Sequence, residues 1–455
     1  MGFYPVFRRH MRQLACTIAG LALATVSPAN AQSLLRDAEI EEWLEDYSHP
    51  ILEAAGIPPS RIEILLIGDP TFNAFAGGRY MGYHTGLLTS ASTPNEIEAV
   101  IAHEVGHIAG GHTARSDDAI AAATRPMLLS LVLAAGAIAA GAPQAGFGLL
   151  GLGQTIGTAN FLKYSRSQEA SADQLSIRYL EKLGKSGAGA IEIWQDRMGE
   201  QIVRGRKVNP YRQTHPLPTA RVEALRTKIE ASPYFNTRDS EEEIHRLKMI
   251  QAKINGFMQE PKYTFRQYPE TDKSDTALYA RAVAYYRAAD IDKALTEINS
   301  LLASYPDNPF FHELKGQMLF EFGRIDAAIP PHRESVRLSP DEPLLRINLG
   351  RALLSKEDLA IVDEAIRELK TALAMEPDNS FAWFELSRAY GLKGDLPLAH
   401  LATAESKYHA RQVGEAAQFA QRALKGLRPG TPEHRQALDI LTAAQNVAAK
   451  KRGRR

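Results

Sequence analysis

Pro306, Pro340 and Pro377 stand 34 and then 37 residues apart, each in a similar turn. The turns read Tyr305-Pro306-Asp307-Asn308-Pro309, Ser339-Pro340-Asp341-Glu342-Pro343 and Glu376-Pro377-Asp378-Asn379-Ser380. Asp292-Lys293-Ala294, Asp326-Ala327-Ala328 and Asp363-Glu364-Ala365 repeat in the same phase, and the longer step carries extra residues near 355–359. Alanine- and leucine-rich sequence fills the intervals. A unit of this length holds two short helices, which cannot bury their apolar faces alone. Successive pairs must therefore stack into an α-solenoid with a concave surface.

A helix-turn-helix period of about 34 residues is the tetratricopeptide signature. A further unit runs over residues 396–427, with Gly414-Glu415-Ala416-Ala417 at its turn. Residues 273–449 are assigned to this repeat domain, and 450–455 to a solvated basic tail. The concave face of such an array holds peptides or partner proteins; the plainer alternative is a spacer.

The rest of the chain is different in kind. At 455 residues there is room for about two to four domains. The 53 Lys and Arg balance 53 Asp and Glu, so charge gives no case for nucleic acid. Cys16 is the one cysteine, which excludes a disulfide scaffold and a cysteine-ligated metal. Arg8, Arg9, His10 and Arg12 precede a short apolar run at 14–26, and Ala29-Asn30-Ala31 follows. That pattern predicts a signal peptide over 1–31, cut before Gln32, and hence an exported protein.

Residues 32–232 mix both element types, so the fold class expected is α+β, mostly α. Ile40, Trp43, Leu44 and Tyr47 space a helix over 38–55; residues 61–67 read as an apolar strand. Residues 73–84 read as a hairpin turning at Gly77-Gly78. Thr93-Pro94-Asn95-Glu96 starts a helix that runs through His107. The segment 127–162 is an apolar run broken at Gly141-Ala142-Pro143, followed by a glycine-rich apolar stretch. It is either a buried helical hairpin or a flap that meets a membrane surface or the active site. Residues 233–272 are expected to form a helical linker.

The chemistry sits in His103-Glu104-Val105-Gly106-His107. On a helix, positions i and i+4 share a face, so both imidazoles can grip one zinc ion while Glu104 reaches the water to be activated. Catalytic zinc needs a third protein ligand. Glu169-Ala170-Ser171-Ala172-Asp173 supplies two acids, again at i and i+4: Glu169 for the metal and Asp173 to orient a ligand histidine. His112, five residues beyond His107, is read as structural. His215 and Arg221 flank a proline-rich loop, Thr214-His215-Pro216-Leu217-Pro218. Either could stabilise an oxyanion, and His215 could instead occupy the open metal position or be structural.

The run Asn73-Ala74-Phe75-Ala76-Gly77-Gly78, the following Gly86-Leu87-Leu88, HEVGH with Gly110-Gly111-His112, EASAD, and Thr214-His215-Pro216 with Arg221 resemble, in that order, the HtpX-like and CAAX-prenyl-protease-like zinc metallopeptidases. The resemblance spans roughly residues 35 to 230. It implies a gluzincin-type domain with one zinc ion, His103, His107 and Glu169 as ligands, and Glu104 as acid/base. It further implies that His215 caps the zinc in a latent enzyme, that Asn73, Ala74, Phe75 and Ala76 form a substrate-binding edge strand, and that 127–162 contacts a membrane peripherally or covers the site. With the signal peptide and repeats, the architecture resembles exported members of that group. These act in the Gram-negative periplasm on unfolded or misassembled proteins, with repeats docking the outer-membrane assembly machinery. The rival reading is a periplasmic chaperone or assembly scaffold with a latent zinc site.

Overall fold

The computed structural model describes residues 33–112, 166–193, 215 and 219–452. The expected signal peptide, the apolar segment 127–162, most of the 214–218 loop and residues 453–455 of the basic tail lie outside these. Helix α1 (Ala38–Ala54) begins at Asp37, whose side chain accepts the Ile40 N–H, and buries Trp43, Leu44, Ile51 and Leu52. Four short strands, β1 (Ser33–Leu35), β2 (Glu63–Gly68), β3 (Ala74–Gly77) and β4 (Tyr80–His84), pair in the order β1-β2-β4-β3. The β2–β4 pair is parallel and the other two are antiparallel. The β3–β4 hairpin sets Ala74 opposite Tyr83 and Phe75 opposite Gly82, and it turns through Gly78 at φ 61°. Strand β3 is the outermost strand among the described residues.

After α2 (Thr85–Ser90) comes α3 (Pro94–Ala109). Thr93 caps it by accepting the Glu96 N–H, and Pro94 takes the first helical position, where its missing N–H costs nothing. Ile97, Ile101 and Val105 drive α3 into the core, across α1 and beside β3. Residues 166–182 (α4) and 188–193 (α5) are helical, as is α6 (Thr219–Glu230). Asn95 ties the start of α3 to the α4–α5 turn, accepting from the Gly189 N–H and donating to the Ser186 carbonyl.

Helix α7 (Glu241–Met258) starts with a reciprocal Ser240–Glu243 capping box. Expected as part of a linker, it is buried on two faces. Leu247, Ile250 and Ile254 join the N-terminal core, while Met249 and Ala252 join the core of the first repeat. Each buried Leu or Ile contributes about 1.5–3 kcal/mol, so this helix fastens the two halves together. Helix α8 (Pro261–Gln267) leads into the repeats.

The repeats form antiparallel pairs: α9 (Asp275–Arg287) with α10 (Ile291–Ser304), α11 (Pro309–Glu321) with α12 (Ile325–Leu338), and α13 (Pro343–Leu354) with α14 (Val362–Met375). Two more follow, α15 (Ser380–Leu392) with α16 (Leu396–His409) and α17 (Val413–Leu424) with α18 (Pro432–Arg452). The recurring turn residues start the helices that follow them. Asn308 and Asn379 cap the next helix, and Pro309 and Pro343 take first helical positions. The extra residues near 355–359 form a longer turn, with Glu357 at φ 54°. No helix among the described residues is long and apolar enough to cross a membrane.

A polar junction, buried around Lys253, joins the start of α1 to α7 and the repeats. Lys253 Nζ sits 2.8 Å from Asp37 and 3.1 Å from Glu39, and Arg36 reaches Glu376 at 2.6 Å. Glu39 also accepts the Tyr279 hydroxyl, and Glu313 accepts from Asn348. Removing one partner of a buried pair strands the other charge, at a cost of about 3–5 kcal/mol. Lys253→Met should therefore lower the unfolding free energy by about that much in denaturant titration. Burial pushes the Glu313 carboxyl up to about 7 from its usual 4.5. Its contribution to stability is thus complete below about 4.5 and lost as pH rises through about 7. Glu313→Gln should gain stability relative to wild type across that window, read as the difference between two denaturation curves at each pH.

Candidate metal centre

Two features of α3 and α4 create the centre. His103, Glu104 and His107 lie on α3, and Glu169 and Asp173 on α4. The helices cross closely because Gly106 has no side chain: a Cβ there would stand 2.7 Å from the Ala172 carbonyl oxygen. The glycine inside HEVGH and the small residues inside EASAD are therefore one packing contact. That contact carries Glu169 to the imidazoles.

The structure brings His103, His107, Glu169 and His215 together, with one ligand atom from each lying within 4.8 Å of the others. His103 Nε2 is 3.0 Å from His107 Nε2, 3.3 Å from Glu169 Oε2 and 3.3 Å from His215 Nδ1. Glu169 Oε1 is 3.3 Å from His107 Nε2 and 3.2 Å from His215 Nδ1. Four ligands around zinc at their usual bond lengths stand about 3.3 Å apart, so this donor set fits a tetrahedral zinc site. His215 is buried, with Nε2 3.6 Å from Glu104 Oε1.

Behind these atoms lies a supporting layer. Asp173 Oδ1 is 3.0 Å from His103 Nδ1, the nitrogen facing away from the cluster. Arg221 on α6 donates through Nε and Nη2 to Asp173 at 2.6 and 2.8 Å, and its Nη1 lies 2.8 Å from Glu169. Arg221, expected together with His215 as a candidate oxyanion donor, sets its guanidinium against two carboxylates. His112, expected to be structural, also lies close by. Its Nδ1 lies 3.1 Å from His107 Nδ1, so it contacts the ligand histidine directly. It lies past the end of α3 at Ala109, beyond the reach of the i, i+4 rule. The signal available in the sequence was Gly110-Gly111, a helix stop just before it.

Burial and close partners set the charge states of these groups against one another. Burial works to raise the Glu169 carboxyl, yet hydrogen bonds with His103, His107 and His215 hold it far below the usual range. Burial likewise opposes ionisation of Asp173, but Arg221 and His103 bring it down to about 2. Burial lowers His103, and the adjoining Asp173 and Glu169 override it and push the imidazole up to about 9. Burial lowers His107, which favours its neutral form.

The predicted substrate-strand residues lie alongside. Strand β3 packs against α3. Phe75 lays its ring over Gly82, where a Cβ would be 2.3 Å away, and remains partly exposed. The buried Asn73 Oδ1 has no hydrogen-bond partner among the described residues.

Residues 36–229 match Peptidase family M48, and 279–343 match the Tetratricopeptide repeat. The chain is a metallopeptidase whose M48 domain is followed by tetratricopeptide repeats, and peptidases of that family are zinc-dependent. The Beta-barrel assembly-enhancing protease of Yersinia pestis is 25% identical over 373 residues, covering 79% of this chain and 74% of that protein. The protein of the same name from Escherichia coli K12 is 23% identical over 410 residues, covering 88% of this chain and 81% of that one. Metalloprotease LoiP of the same organism is 28% identical over 208 residues, covering 46% of this chain and 75% of its own length.

Removing a carboxylate that orients a metal-binding histidine typically weakens metal affinity about 10–100-fold. Asp173→Asn should do so here while leaving the fold intact, measured by zinc competition against a chelator of known affinity.

Proposed function

We propose that this chain is an exported zinc endopeptidase of the Gram-negative periplasm that cleaves unfolded or misassembled outer-membrane β-barrel proteins. The observation that carries the reading is the convergence of His103, His107, Glu169 and His215 beside Glu104. The names of the relatives, Beta-barrel assembly-enhancing proteases, support the client class. His103, His107 and Glu169 would hold the zinc, which when bound acts as a Lewis acid and lowers the pKa of water toward about 7. Glu104 takes the proton from the attacking water at its carboxylate and delivers it to the departing amide nitrogen. Arg221 and Asp173 keep Glu169 and His103 in place.

An extended peptide would pair with β3, where Asn73 Oδ1 offers a buried acceptor and Phe75 an apolar contact. Pairing of this kind reads backbone and so suits segments that have not folded. The repeats would dock the assembly machinery and raise the local concentration of clients. Residues 127–162 would cover the site or touch a membrane surface.

The placement of His215 favours a second element, latency. Its Nδ1 takes the fourth place of the cluster, where a water or substrate oxygen must come during hydrolysis, so His215 would have to move before cleavage. In its strongest form, this is the scaffold reading: a chaperone whose peptidase is held shut. Glu104→Gln should lose about 10²–10⁴-fold in peptidase rate with zinc retained, and should fail to rescue outer-membrane assembly where wild type succeeds. Full rescue by that variant would establish the scaffold role instead. His215→Ala should raise cleavage of an unfolded substrate; a fall would contradict the capping role.

A further inference from the structure

We propose that His112 is a positioning residue for the metal ligand His107, holding its imidazole in the tautomer that presents Nε2 to the metal. The inference rests on the ligand assignment made above and extends it to a residue that the HEVGH pattern does not include.

The argument begins with how α3 stops. Gly111 adopts φ +65°, the left-handed conformation that glycine tolerates. Its N–H bonds to the Ile108 carbonyl at 3.0 Å, and the His112 N–H bonds back to the His107 carbonyl at 3.0 Å. This is the paired capping arrangement of a glycine-terminated helix, in which the second residue past the cap folds over the residue five positions earlier. Usually that contact is between two apolar side chains. Here it is between two histidines.

The rings meet edge to face, with centroids 5.0 Å apart, an interplanar angle of 78° and 3.1 Å between their Nδ1 atoms. One of the two nitrogens must donate. If Nε2 of His107 gives its lone pair to a metal, its proton sits on Nδ1. His107 Nδ1–H therefore donates to the lone pair on His112 Nδ1, and the His112 proton sits on Nε2.

The seat for His112 is built. Gly110 leaves room for the ring, since a Cβ there would stand 2.5 Å from His112 Nε2. Gln168, next to Glu169 on α4, donates to the His112 carbonyl at 3.2 Å and fixes the turn from the opposite helix. The two helical ligands are thus braced differently. His103 leans on the Asp173 carboxylate, and His107 on a neutral imidazole that adds no charge to a site already holding Glu104, Glu169 and Asp173.

The test uses the full chain with His112→Leu and His112→Asn. Leucine fills the space without an acceptor, and Asn places Oδ1 near the position of Nδ1. His112→Leu should weaken zinc binding about 10–100-fold in chelator competition, and His112→Asn should restore most of it. Wild-type affinity in the leucine variant, or an equal loss in both, overturns the proposal. Should His112→Leu not fold, the wild type decides by nuclear magnetic resonance. A scalar coupling across the N–H···N bridge between His107 Nδ1 and His112 Nδ1 in the zinc-loaded protein is the expected result, and its absence overturns the assignment. Failure of the wild type to bind zinc overturns the metal reading and this inference together, whereas tight zinc binding indifferent to residue 112 overturns this inference alone.

Discussion

Two buried carboxylates, Glu169 and Asp173, face buried imidazoles across about 3 Å, and nearly everything else in the N-terminal half serves to keep them there. Ionised groups taken out of water are costly unless opposite charge meets them. Arg221 answers part of that demand by reaching both acids. A cation held at the cluster of His103, His107, Glu169 and His215 would answer the rest. The core beneath α3 is the means of holding this charge in place. Ile97, Ile101 and Val105 anchor the helix, and Gly106 lets α4 approach until the acids reach the histidines. A methyl group at position 106 would act at the metal centre without touching it.

The same economy joins the peptidase half to the repeats. Helix α7 belongs to both cores, and its Lys253 reaches Asp37, the cap residue of α1. A large groove, about 1630 Å³, runs between the β1–β2 side of the sheet and the repeat helices, lined by residues such as Leu34, Glu313, Asn348 and Phe381. The repeats are therefore packed against the domain that carries the chemistry, with an open channel between.

Much of this was legible in the sequence, for identifiable reasons. The 34-residue period fixes helix pairs because the proline and Asn turns repeat at the same phase, and the structure places the pairs there. Thr93-Pro94 marks the start of α3, and the Gly77-Gly78 turn marks the hairpin. Three things were hidden. The double burial of α7 is tertiary, since its apolar residues on two faces resemble those of an ordinary amphipathic helix. The commitment of Arg221 depends on two acids some fifty residues away. The contact of His112 with His107 lies past a glycine that has already ended the helix, where helical spacing gives no guide.

The most direct test of the account is the metal content of the purified protein and of one variant. Elemental analysis of the wild type should give one zinc per chain, and Glu169→Gln, similar in size to Glu169 but uncharged, should lose most of it while still folding. A wild type that binds no transition metal, or a Glu169→Gln variant that keeps zinc at full stoichiometry and affinity, would contradict the account.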